Sequence, residues 1–304
     1  MQQKFAFKAE LLLILVTILA GAGWIFSKEA LSGMTPLFFI SMRFLIGGVV
    51  LLLIGHRYFR GVKWQDIKPV MLIGAVMGLA MLCWVLGLYQ SSNVGVGAFI
   101  TCMGVVFVPI IGRLMFGDRP AMSIWVALPF AIIGLGFLAL SNGLNFEISH
   151  LYFLGTAIAV AFQLNLLSRF LLRVHALVLT SVQLTTAGIL LLIVSLLTET
   201  LPTSISVDIL GWLLASAIIA TSLRYLLQMY AMSLTPVSHA AVIMNLEPVW
   251  AAIFAVFWFG EAMTLGQIFG CCLIFMAMLI SRWSQVRKIF KRKKKINVEP
   301  SISQ

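Results

Sequence analysis

Residues 88–118 read LYQSSNVGVGAFITCMGVVFVPIIGRLMFGD, and residues 231–261 read AMSLTPVSHAAVIMNLEPVWAAIFAVFWFGE. An ungapped shift of 143 positions lays one on the other: Val94 meets Val237, Ala98 meets Ala241, Ile100 meets Ile243, Val106 meets Val249 and Ile110 meets Ile253. The match closes on Phe116-Gly117-Asp118 against Phe259-Gly260-Glu261. A period this long marks a duplicated half rather than a solenoid. In an apolar chain it predicts two pseudo-symmetric bundles.

The chain is that apolar. Hydrophobic residues make up 61% and charged residues 10%, against about 25% charged in a soluble domain. Mean hydropathy is +1.06. A soluble core of this size needs a charged shell that this sequence lacks. The apolar residues fall instead into ten runs, at about 9–28, 36–55, 69–89, 94–116, 121–140, 151–171, 176–198, 208–231, 236–259 and 264–283. Each approaches the ~20 residues that carry a helix across a bilayer, and each is too long for a barrel strand. The predicted fold is therefore all-α and membrane-integral, with ten transmembrane helices (spans 1 to 10).

Five spans per copy is an odd number, so the second copy enters the membrane from the opposite side and the repeats are inverted. The similarity extends past the opening stretch. Ser27-Lys28 and Trp24 in span 1 meet Ser168-Arg169 and Asn165 in span 6 at a shift of 141. Pro36, Arg43 and Gly48 in span 2 meet Ala176, Gln183 and Gly188 in span 7 at a shift of 140. The expected organisation is a first five-helix repeat over 1–145, a second over 146–283, and a basic tail over 284–304.

Charge sets the expected orientation. With the N-terminus inside, the inner segments hold Lys4, Lys8, Arg57, Arg60, Lys63, Lys68, Arg119, Arg173 and the tail's seven Lys and Arg residues over 287–295. The outer links hold mainly acids: Glu147, Glu199, Asp208 and Glu261, with Lys28 beside Glu29. This is the positive-inside pattern, with both termini cytoplasmic in a cell inner membrane. The net charge of +11 is then mostly a topology signal. The tail also suits anionic lipid headgroups, at about 1 kcal/mol per basic residue. It interleaves no aromatics for base stacking, so nucleic acid is not an expected partner.

Cys83, Cys102, Cys271 and Cys272 lie inside the runs without CxxC spacing, so neither a disulfide framework nor a zinc site is indicated. The first run lacks a small-residue cleavage pattern and reads as a retained helix. No GxxxxGK[ST], HExxH or GxSxG sequence occurs, and no cofactor is expected. Oligomeric state is not legible.

The two five-helix copies, each with a span closing on a Gly-acid pair, resemble the drug/metabolite transporter superfamily. Glu247-Pro248-Val249 upstream of the second pair narrows the resemblance to its EamA group, over residues 9–283. The first copy departs from the pattern: Gly104-Val105 stand where Glu247-Pro248 do, the proline moves to Pro109, and Asp118 replaces Glu. The resemblance implies secondary transport of small metabolites, often amino acids, and the expected function is export across the cytoplasmic membrane by alternating access. An intramembrane enzyme is the rival class, with no catalytic constellation to carry it.

Ionisable groups inside a bilayer cost at least about 2.5–3.5 kcal/mol each and need a reason. The clearest are Arg43 in span 2, Arg224 in span 8 and Glu247, which lies eleven residues into span 9 and so near the midplane. One reading has an arginine fork binding a substrate carboxylate while Glu247 answers an amine or takes a proton. The other pairs Arg224 with Glu247 as a fixed bridge between helices. Trp24, Asn165, Trp84, Tyr225, Asn245 and Trp250 complete the expected pocket. Gly74-xxx-Gly78 and Gly266-xxx-Gly270 predict close helix contacts, and Pro109, Pro129 and Pro248 predict kinks.

Overall fold

The glycines that close the two repeat stretches end helices. Gly117 and Gly260 adopt φ of 71° and 65°, the left-handed cap that stops a helix with little steric cost. That backbone requirement explains why a glycine stands at the same place in both copies.

A computed structural model describes residues 2–117, 122–140, 147–170, 175–202, 204–234 and 243–281. Every apolar run falls on helix where it is described. Spans 1 to 3 are Gln2–Ala30, Pro36–Gly55 and Trp64–Gln90; spans 5 to 7 are Met122–Leu140, Ile148–Phe170 and Ala176–Thr198. Span 10 is Leu265–Ser281. Among the described residues, seven helices are long and apolar enough to cross a membrane by themselves, and shorter apolar helices fill spans 5, 9 and 10. Large apolar side chains such as Leu53, Leu79, Phe257 and Leu265 cover the outside, where only lipid would accept them.

Among the described residues, three spans are interrupted. Span 4 divides at Met103 into Val94–Cys102 and Gly104–Phe116, where Met103 N–H bonds back to Ile100 O. That break falls six residues before Pro109, and Pro109 and Pro129 both sit inside helix. Span 9 starts its described part as a tight 3₁₀ turn, Met244–Leu246, followed by Glu247–Phe259. Shifting Met103 by 143 gives Leu246, so both copies break at equivalent places. Pro248 lies in the first turn of its helix, where a missing N–H costs nothing. Span 8 runs Val207–Leu214, a π-helical stretch Ala215–Leu223, and Arg224–Leu234. Within that stretch the Thr221 and Ser222 hydroxyls bond five residues back, to Ser216 O and Ala217 O.

The halves pack about a two-fold axis. Spans 2 and 7 run antiparallel, with Gly48 against Thr185 and Gly188 against Leu45. A shift of 140 turns one contact into the other, Leu45 to Thr185 and Gly48 to Gly188. Spans 5 and 10 also run antiparallel, with Gly134 against Ile274 and Gly270 against Leu138. Span 1 packs on spans 8 and 9 as span 6 packs on spans 3 and 4. Because the partners across the axis run in opposite directions, the axis lies perpendicular to the helices, in the membrane plane, and the repeats are inverted. The small-residue expectation holds at Gly74, Gly78 and Gly270, each in contact with backbone of the other half or repeat.

Asp118, Arg119, loop 141–146, Arg173, Val237, His239, Ala241 and the tail from 282 onward lie outside the described residues.

Candidate functional site

Arg43, fully inside the bundle, is held by hydroxyls. Its Nε donates to Thr221 Oγ1 at 2.9 Å and its Nη1 to Ser27 Oγ at 2.7 Å. The guanidinium also lies 5.6 Å from the Trp84 ring centroid and 6.0 Å from that of Phe44, within cation–π range. It therefore ties span 1, span 2 and the π-helical stretch of span 8 together. A π-helical turn is a costly local geometry that recurs at functional sites. Here it presents the Thr221 hydroxyl to Arg43, and Gly23 and Gly47 leave room for it by packing directly on Ala220 and Thr221.

Immediately after that stretch comes Arg224. Its Nη2 stands 3.7 Å from Glu247 Oε2, with the two side chains 18% and 23% exposed. A well-made charge-assisted contact is about 2.7–2.9 Å, so this pair is loose. The Arg224 guanidinium also covers the Tyr225 ring at 5.0 Å, while its Nε is buried without a partner among the described residues. Glu247 accepts a long bond, 3.4 Å, from Trp24 Nε1. Trp24 in turn meets Trp84 edge-on at 5.0 Å and Phe153 at 5.8 Å. Arg43, Arg224, Tyr225 and Glu247 share one electrostatic neighbourhood.

Of the residues expected from sequence, the structure brings together Arg43, Arg224, Glu247, Trp24, Trp84 and Tyr225. Asn245 and Trp250 flank Glu247 on span 9, and Asn245 Nδ2 and Trp250 Nε1 are both buried without hydrogen-bond partners among the described residues. Trp250 also packs its Cβ on Gly21 and its ring on Phe254 at 6.2 Å. Asn165 sits apart from this cluster. Its Nδ2 donates to Val108 O at 2.7 Å and Ala161 O at 2.9 Å, joining span 6 to span 4. The shift of 141 that equates it with Trp24 sends it to the mirror-related position.

Sequence reading missed Thr221, Phe153 and Cys102. Thr221 is chosen by the π-helical register, which no apolar periodicity reveals. Phe153 is one apolar residue among many. Cys102 was within reach: the shift of 143 equates it with Asn245, and it lies within electrostatic range of Arg224 and Glu247.

Comparison with known proteins supplies the family. Residues 7–140 and 147–283 each match the EamA-like transporter family. The chain belongs to that family. It is thus a multi-pass membrane transporter of the drug/metabolite superfamily and not an enzyme. An uncharacterized transporter of Archaeoglobus fulgidus is 30% identical, over 90% of this chain and 85% of the relative. The uncharacterized transporter YoaV of Bacillus subtilis is 23% identical, over 88% of this chain and 96% of the relative. A solved crystal structure shares the fold with a TM-score of 0.61 at 18% identity, covering 92% of this chain and 98% of that one.

The EamA-family match accounts for the duplication and the membrane spans. The asymmetry between the copies is a property of this chain's own residues. Arg43 and Glu247 have Gln183 and Gly104 as their repeat equivalents, so the charged cluster belongs to one side of the pseudo-symmetry axis.

Proposed function

We propose that this transporter exports small zwitterionic metabolites such as amino acids across the cytoplasmic membrane by alternating access. The observation that carries the reading is the Arg224–Glu247 pair: oppositely charged, partly exposed, and 3.7 Å apart. A zwitterion inserts between such partners, its carboxylate on Arg224 and its ammonium on Glu247, at little cost in unpaired charge. The unpartnered donors Arg224 Nε, Asn245 Nδ2 and Trp250 Nε1 offer further bonds to a carboxylate, since an unsatisfied buried donor costs about 1–3 kcal/mol until an acceptor arrives. Trp24, Trp84 and Tyr225 supply ring faces for a cation and for apolar atoms. Arg43 raises the positive potential and completes the anion side.

Inverted repeats support the transport cycle, because exchange of conformations between the halves yields inward-open and outward-open states of similar energy. The Lys and Arg asymmetry supports cytoplasmic termini, and the tail's seven Lys and Arg residues over 287–295 suit anionic headgroups on that side. The test is a thermal-shift screen of the detergent-solubilised protein against amino acids and related metabolites. Amino acids should raise the midpoint in the wild type and fail to do so in Glu247→Gln. Stabilisation only by uncharged compounds refutes the zwitterion reading.

A further inference from the structure

At the face of the bundle opposite the N-terminus, one corner is held by two charges from elsewhere in the chain. The corner joins the C-terminus of span 3 to the N-terminus of span 4. Helix ends leave carbonyls free at one terminus and N–H groups free at the other. Lys28, at the end of span 1, donates its Nζ to Leu88 O at 2.8 Å and Ser91 O at 2.7 Å. Glu261, between spans 9 and 10, accepts from Val94 N–H at 3.0 Å with each carboxylate oxygen. Each charge has the sign that its helix end favours. Ser92 on the same corner donates to Glu147, which also accepts from Ser149 at 2.9 Å. Trp258 Nε1 donates to Glu29 at 2.8 Å, so span 9 is also tied to span 1 at this face.

These ties lie directly above the site. Trp24 is one helical turn below Lys28 on span 1, and Cys102 is eight residues below Val94 on span 4. Opening the pathway at this face requires span 1 and the link between spans 9 and 10 to part from the corner of spans 3 and 4, and that motion breaks the Lys28 and Glu261 contacts. The duplication keeps the same signs at the equivalent sequence positions, Arg169 for Lys28 and Asp118 for Glu261. We infer that Lys28 and Glu261 form a latch that holds the transport pathway shut at the face opposite the termini, and that its release opens the pathway there. The inference rests on the alternating-access reading but needs no knowledge of the solute.

Cys102 supplies the reporter. In full-length protein with Cys83, Cys271 and Cys272 replaced by Ser, a membrane-impermeant maleimide is applied to intact cells and, separately, to inside-out vesicles. Cleavage of a C-terminal tag by added protease identifies the face exposed in each preparation. Lys28→Met and Glu261→Gln should label Cys102 at least fivefold faster from the face opposite the termini and more slowly from the termini face. Lys28→Arg should stay near the parent rate. Unchanged labelling at both faces overturns the latch, as does faster labelling at both, which reports a loosened bundle. No substrate enters the assay, so failure of the zwitterion assignment leaves this test intact.

Discussion

Gly134 and Gly270 contact one another across the two-fold axis: a Cβ on either would stand 2.8 Å from the other's carbonyl oxygen. The reciprocity is the signature of an isologous interface inside a single chain. Overpacking a tight contact costs about 1–3 kcal/mol. Gly134→Ala and Gly270→Ala should each lower the thermal midpoint by similar amounts, while Gly136→Ala, with open space at its Cβ, should leave it unchanged. Unequal effects at the two glycines would argue against a shared axis.

Arg43 bridges two hydroxyls on different spans, and a lysine ammonium at its place has one nitrogen where the guanidinium has a fork. Arg43→Lys should reduce transport at least tenfold with folded yield near that of the parent. Arg43→Ala should also lower the yield, since each bond to a charged group contributes about 1.5–3 kcal/mol. Normal transport in both variants would make Arg43 a packing residue.

Glu247 has a loose partner and a long bond from Trp24, so its charge is available to a substrate. Glu247→Gln keeps the shape and removes the charge. Transport by the variant should be lost while folded yield holds. Loss of yield with normal transport per folded molecule would instead identify a structural bridge to Arg224.

Burial pushes the Glu261 carboxyl above its ordinary value, against the opposing pull of the Val94 and Gly95 N–H groups and Lys28. The folded state therefore holds this proton at a pH where the unfolded chain has released it. Folding stability from this group increases as pH falls through the raised value toward the ordinary one of 4.5. Neighbouring Glu147 is shifted the opposite way: burial alone would raise it, but the Ser92 and Ser149 hydrogen bonds lower it. A comparison of wild type with Glu261→Gln cancels that background. On acidification below neutral, the midpoint of the wild type should rise relative to the variant. A constant difference across the range would show that Glu261 is not desolvated.

The length of the apolar runs, the ungapped match of 94–116 with 237–259 and the odd span count were enough to determine ten helices in two inverted copies. Apolar length and internal similarity are local properties, so a linear reading recovers them. The charges at Arg43, Arg224 and Glu247 were also visible, because ionisable residues are rare inside a membrane. Their partnerships were not. The π-helical register of span 8 decides that Arg43 meets Thr221, and helix crossing decides that Trp24 of span 1 reaches Glu247 of span 9. Lys28 and Glu261 read as loop charges until the fold placed them on the ends of spans 3 and 4. Such contacts join residues far apart in the chain, and the physical reason they escape a linear reading is that only packing brings their partners within hydrogen-bond distance.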